Sequence, residues 1–171
     1  MKGYIQIYTG NGKGKTTAAL GLTLRAAGAE KKVCFAQFVK GQVYSEIKAL
    51  QQLKPAVEIR QYGLTCFIRN TPKQEDIDIA RKGLKEVTDI ILSGEYDIVV
   101  LDEANIAIYY GLFSADELIK VLKQKPEKTE IIITGRYAVP ELIAVADLVT
   151  EMKEVKHYYT QGVDARIGIE C

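Results

Sequence analysis

The chain is poor in the residues on which most nucleophilic and metal chemistry depends. It has one histidine, His157, in a polar and aromatic tail. No Ser-His or Cys-His nucleophile pair is evident, and His157 reads most simply as a solvated or hydrogen-bonded side chain. The three cysteines, Cys34, Cys66 and Cys171, are odd in number and scattered. None has zinc-ligand or redox-motif spacing, which predicts reduced thiols in a cytoplasmic protein. No apolar run is long enough to span a bilayer, and Met1-Lys2-Gly3-Tyr4-Ile5 runs straight into a strand without a signal-peptide pattern. Net charge is nearly absent too. Lys+Arg 23 against Asp+Glu 22 leaves +1, which gives no global attraction to nucleic acid or an anionic membrane. Internal repeats, low-complexity tracts and flexible linkers are missing. What remains, 171 residues at 47% hydrophobic and 26% charged, suits a single domain over residues 1–171 with a substantial core.

Local positive charge is concentrated in Tyr8-Thr9-Gly10-Asn11-Gly12-Lys13-Gly14-Lys15-Thr16-Thr17, between a short apolar strand and a helix. Gly10, Gly12 and Gly14 let backbone N–H groups turn inward, and the positive end of the following helix completes a phosphate cradle. Lys15 adds a mobile charge for phosphate oxygens, and the Thr16 hydroxyl is suited to a magnesium ion that accompanies them. The common phosphate-loop pattern has a glycine where this chain has Thr9. The loop is effectively one residue shorter and carries an extra lysine, Lys13, so it is suited to hold a polyphosphate differently from an ordinary ATPase.

In chain order, Tyr4 to Tyr8 reads as a strand and Thr16 to about Ala27 as a helix with Leu20, Leu24 and Ala27 on one face, stopped by Gly28. Val33 to Phe38 is apolar enough for a strand covered on both faces. Ser45 to Leu53 follows as a short helix, then Val57 to Arg60 as a strand, then an irregular stretch from Gln61 to Asn70 that is either an active-site loop or an ordinary surface loop. Thr71, Pro72 and Gln74 predict a capped helix start, with Ile77, Ala80, Leu84, Val87 and Ile91 as its core face and Ser93-Gly94 as its end. Asp97 to Glu103 is a second landmark, a buried strand delivering Asp102 and Glu103 at its C-terminal end. In open α/β sheets ligands bind there, and such carboxylates hold magnesium directly or through water; the alternative is an acidic helix start. Ser114 to Glu117 is a capping box for a helix through Leu122. Glu130 to Thr134 is a further strand that brings Gly135-Arg136 to the same sheet edge. There Arg136 either binds phosphate or is a surface arginine. A helix from Val139-Pro140 through Ala146 and a strand from Leu148 to Met152 complete the pattern. Strands alternating with helices predict an α/β fold, a mostly parallel sheet with helices on both faces.

These motifs together resemble the ATP:corrinoid adenosyltransferases of the cob(I)alamin (cob(I)yrinic acid a,c-diamide) type. The resembling segments are 9–19, Leu24-Arg25-Ala26-Ala27-Gly28, Gln37-Phe38-Val39-Lys40-Gly41, 99–103, Thr134-Gly135-Arg136, 146–152 and Val155-Lys156-His157. They span nearly the whole chain. The resemblance implies a P-loop NTPase (RecA-like) architecture and transfer of the 5′-deoxyadenosyl group of ATP to Co(I) of a reduced corrinoid, with release of triphosphate. It implies that Gly10, Asn11, Gly12, Lys13, Gly14, Lys15, Thr16 and Thr17 hold the triphosphate, with Arg25 and Arg136 as further ATP contacts. Lys15, Thr16 and Glu103 would carry catalysis, and Thr16, Asp102 and Glu103 would place Mg2+ (or Mn2+). It also implies a homodimer and a reducing flavoprotein partner. Family members often show Gly-Phe-Thr-Trp in the irregular loop, whereas this chain has Gly63-Leu64-Thr65-Cys66 followed by Phe67. Leu64, Cys66 and Phe67 would then form the apolar wall facing the corrinoid, with Cys66 as either a cobalt ligand or a small filler. A small kinase or ATPase acting on the γ-phosphate, and a non-enzymatic ATP/corrinoid-binding protein, are the competing readings.

Overall fold

The computed structural model describes residues 2–42, 44–53, 56–64, 68 and 71–170. The expectations placed on Cys66 and Phe67 lie outside the described residues. Six strands form one sheet: β1 (Ile5–Thr9), β2 (Val33–Phe38), β3 (Val57–Tyr62), β4 (Ile98–Asp102), β5 (Glu130–Thr134) and β6 (Leu148–Glu151), in the order β3-β2-β4-β5-β1-β6. Every neighbouring pair is parallel. All strands therefore point their C-terminal ends to one edge, and β5 separates the strand that feeds the glycine loop from the strand that ends in Asp102.

Side-chain alternation divides the core in two. Val33, Phe35, Val57, Val100 and Ile132 face one side, covered by α1 (Lys15–Gly28) and α2 (Ser45–Gln51). Cys34, Ala36, Val99, Leu101, Ile131 and Ile133 face the other, beneath α3 (Gln74–Ser93), α4 (Ala104–Tyr109), α5 (Ala115–Leu122) and α6 (Pro140–Ile143). Burial on both faces explains why the central strands are near-continuous apolar runs. On this second face the Cys34 thiol is pushed up to about 12, by burial first and the Glu58 carboxylate second.

Several helix faces and bounds differ from those read in the sequence. The inward stripe of α1 is Lys15, Ala19, Thr23 and Ala26, while Leu24 is 60% exposed. Lys15 is anchored by loop carbonyls, so the helix is phased by its first turn, and small residues let it lie close on the sheet. The helix expected to start at Thr71-Pro72 starts at Gln74, because Asp76 Oδ2 accepts the backbone N–H of Lys73 at 2.8 Å. Short α4 follows β4 directly with Glu103 at its N-cap, where the sequence offered an acidic helix start as the alternative, and α6 stops at Ile143, before Ala146.

The Ser114 capping box is formed: the Glu117 backbone N–H donates to Ser114 Oγ at 3.2 Å, and the Ser114 N–H donates to Glu117 Oε2 at 2.7 Å. Replacing Ser114 by alanine is expected to lower the unfolding free energy in urea by about 1 kcal/mol. The Ser114 backbone N–H and hydroxyl hold the Glu117 carboxyl below its ordinary 4.5. A depressed folded-state pKa stabilises above that value and is lost as pH falls through the lowered one. The deficit of the alanine variant should therefore shrink below pH 4.5.

Candidate active site

The ends of β1, β2, β4 and β5 and the segment after β6 converge on one cleft of about 980 Å3. The glycine loop leaves β1 and is braced from beneath by the residue after β6. Gly12 N–H donates to the Met152 carbonyl at 2.6 Å, and Met152 N–H donates to that of Thr9 at 2.8 Å. Gly10, at φ +94°, needs the absence of a side chain, because a Cβ there would lie 2.5 Å from the Met152 oxygen. The loop runs into α1, whose first turn carries no acidic residue. The positive end of a 14-residue helix is thus left for an external anion.

Lys15, only 8% exposed, donates through Nζ to the carbonyls of Gly10 at 2.8 Å and Gly12 at 2.7 Å. Its ammonium is wrapped by the loop it stabilises. Burial first, and then Arg136, push its pKa down, while Glu103 pulls the other way. Arg136 and Tyr137, after β5, line the same cleft.

Asp102 is fully buried at the end of β4. Its Oδ1 accepts from Thr16 Oγ1 at 2.8 Å and from Thr134 Oγ1 at 2.6 Å, and its Oδ2 accepts from Gln37 Nε2 at 2.9 Å. One carboxylate thereby ties together the first turn of α1 and the ends of β2, β4 and β5. Lys40 Nζ lies 3.6 Å from Asp102 Oδ2 and 3.4 Å from Glu103 Oε1. Burial alone would lower the Lys40 pKa, but Asp102 and Glu103 outweigh it and hold the ammonium above its usual range. Burial, then the Asp102 charge, push Glu103 above the usual carboxylate range.

Val39, Glu103 and Tyr137 follow the ends of β2, β4 and β5 and have φ of +64°, +59° and +62°. Left-handed backbone is uncommon for such side chains and gathers where function over-determines the conformation. All three line the cleft.

Of the residues singled out in the sequence, the cleft gathers Asn11 through Thr17, Glu103 and Arg136, with Gly10 and Asp102 bonded directly behind them. Arg25 is exposed in the last turn of α1 and is not among the cleft-lining residues. Leu64 is half-buried, its backbone packed against Gly41 beside Lys40, and does not line the cleft. Lys13 turns away from the loop toward Tyr158 and Glu170. Sequence reasoning gave no role to Lys40, Gln37 or Glu170. A glutamine inside the buried run of β2, followed by a lysine at that strand's end, was the available signal for the first two. Nothing local marks the third.

Among the described residues, no helix is long and apolar enough to cross a membrane. The solved structure of the flagellar accessory protein FlaH from Methanocaldococcus jannaschii superposes with a TM-score of 0.61 at 14% identity, covering 88% of this chain and 71% of that one. That likeness is one of fold alone. The corrinoid adenosyltransferase of Escherichia coli K12 is 34% identical over 170 residues, covering 99% of this chain and 86% of the relative. The corrinoid adenosyltransferase CobA of Salmonella typhimurium is 35% identical over 172 residues, with 99% and 86% covered. The profile of the ATP:corrinoid adenosyltransferases BtuR/CobO/CobP matches residues 1–171. A shortened glycine loop on β1, a buried aspartate on β4, and a match that leaves no part of the chain outside it place this protein in the ATP:corrinoid adenosyltransferase family.

Proposed function

We infer that this protein transfers the 5′-deoxyadenosyl group of ATP to the cobalt of a reduced corrinoid. The lone pair of Co(I) attacks the 5′ carbon, a cobalt–carbon bond forms, and the bond from that carbon to oxygen breaks, so that triphosphate leaves with the electron pair. The observation that carries this reading is the family match across the whole chain. The substrate brings the nucleophile, so the protein needs none of its own. Its task is to orient ATP and to stabilise charge on the leaving group.

In this reading the backbone N–H groups from Asn11 to Thr17, with Lys13, Lys15 and Arg136, hold the triphosphate. Thr16, Asp102 and Glu103 offer hard oxygen donors within one hydrogen-bonded cluster, a set that fits magnesium or manganese together with phosphate oxygens. The ion would add positive charge at the leaving triphosphate. Lys40 balances the two carboxylates from the other side. Leu64, Cys66 and Phe67 are proposed as apolar contacts to the corrinoid, a role supported by the correspondence of Gly63-Leu64-Thr65-Cys66 to the Gly-Phe-Thr-Trp segment of family members. Family resemblance supports a cytoplasmic homodimer supplied with electrons by a reducing flavoprotein.

The test is an anaerobic mixture of the protein with chemically reduced cob(I)alamin, ATP and magnesium, followed in the visible. A light-sensitive alkylcobalamin spectrum is expected. No spectral change, with phosphate released from ATP alone, would move the protein to a γ-phosphate ATPase.

A further inference from the structure

The segment after β6 returns across the mouth of the glycine loop, so that His157, Gly168, Ile169 and Glu170 line the same cleft as the loop. Its charges converge on one carboxylate. Lys13 Nζ donates to Glu170 Oε1 at 2.6 Å and to the Tyr158 hydroxyl at 3.0 Å. Arg166 grips the same carboxylate with its backbone N–H at 2.9 Å, Nε at 3.3 Å and Nη2 at 3.2 Å. The Tyr158 hydroxyl donates to it as well, and the Arg166 guanidinium lies 4.7 Å above the Tyr158 ring. Two cations, a phenol and a backbone N–H around one carboxylate form a donor set suited to the oxygens of a phosphate group.

We propose that Lys13, Arg166 and Tyr158 form a subsite for the far end of the polyphosphate chain, and that Glu170 occupies this subsite as an internal anion which the polyphosphate displaces. The inference rests on the reading that the glycine loop holds triphosphate. Lys13 is the link, because it belongs to the loop and yet bonds to the tail. The Lys13–Glu170 pair is open to solvent, with side-chain exposures of 39% and 18%, and that of Arg166 is 50%. Exposed ion pairs are weak and screened. A polyphosphate already anchored at Lys15 and the loop N–H groups presents its remaining charge at high local concentration, and so outcompetes a single carboxylate. Arg166 first, then Lys13 and Tyr158, hold the Glu170 carboxyl well below the usual carboxylate range, so it competes as an anion at any working pH. When the product leaves, Glu170 reclaims the subsite. Glu170 therefore opposes retention of triphosphate, whereas Arg166 favours it.

The sign of this effect separates competition from bracing. A tail that only supports the fold makes any loss of Glu170 weaken binding, whereas displacement makes neutralisation of Glu170 strengthen it. The experiment is calorimetric titration of sodium tripolyphosphate, with orthophosphate as the short control, into the full-length protein and its Glu170→Gln and Arg166→Gln variants. Circular dichroism verifies their fold. Glu170→Gln is expected to bind tripolyphosphate about two- to fivefold more tightly, and Arg166→Gln more weakly by a similar factor. Both changes should be smaller for orthophosphate, which has a single phosphate group and so no far end to carry into the subsite. Unchanged or weaker binding by Glu170→Gln overturns the proposal, as does a wild type that does not bind tripolyphosphate. Should Glu170→Gln not fold, an unchanged affinity in Arg166→Gln overturns it alone. The reading of function is checked separately by alkylcobalamin formation in the wild type. A wild type that forms alkylcobalamin while the variants show no change sinks the subsite and leaves the function standing.

Discussion

Replacing Lys15 by alanine should lower kcat/KM for adenosylation by about a hundred- to a thousandfold, the usual loss when a positioned group that stabilises developing charge is removed. The ammonium is nearly buried and bonded to the carbonyls of Gly10 and Gly12. It shapes the loop around itself, and in the proposed reaction it would supply fixed positive charge where the leaving triphosphate gains negative charge. Alanine removes both and leaves two carbonyl oxygens turned into the space. Lys15→Met keeps most of the alkyl stem and separates the contributions. A methionine variant as inactive as alanine assigns the loss to charge, and a methionine variant close to wild type would contradict the role given to the ammonium. Steady-state kinetics with both substrates varied provides the reading.

Asp102→Ala should be destabilising as well as inactivating, by about 3–5 kcal/mol in urea unfolding, because it breaks a buried ionic cluster from one side. Thr16, Thr134 and Gln37 each lose an acceptor, and Lys40 loses the carboxylate oxygen 3.6 Å from its Nζ. Asp102→Asn keeps the volume and one carbonyl oxygen. It should cost less stability than alanine while still lowering kcat by about a hundredfold, the scale of removing one electrostatic contact from the transition state. An asparagine variant with wild-type kcat would confine Asp102 to holding the strand ends together.

The sheet was legible because its central strands are short, apolar on both faces and bounded by turn residues. Val33 to Phe38 and Glu130 to Thr134 were read with the bounds the structure gives them. The loop was legible because glycine spacing and a Lys-Thr pair carry their mechanism in the sequence. The phase of α1 was not, since the inward stripe of small residues around Thr23 is set by the anchoring of Lys15 and not by the larger Leu24. Nor was the extent of α4, since six residues are too few for helical periodicity to show. The left-handed backbone at Val39, Glu103 and Tyr137 has no sequence signature, because each is a residue that ordinarily avoids it. The tail was illegible for a further reason. Its bond from Lys13 to Glu170 joins residues 157 positions apart, and a polar segment that folds back by side-chain contacts leaves no pattern along the chain.

The measurement that tests the central claim most directly is the phosphorus product of a single turnover. Enzyme, ATP, magnesium and cob(I)alamin are mixed anaerobically in the dark, quenched, and analysed by 31P NMR alongside the adenosylcobalamin spectrum. The account predicts one equivalent of intact triphosphate for each adenosylcobalamin formed, since the bond broken is the one between the 5′ carbon and its oxygen. Orthophosphate and ADP in that ratio, or pyrophosphate and AMP, would mean that a phosphorus–oxygen bond is cleaved instead and would contradict it.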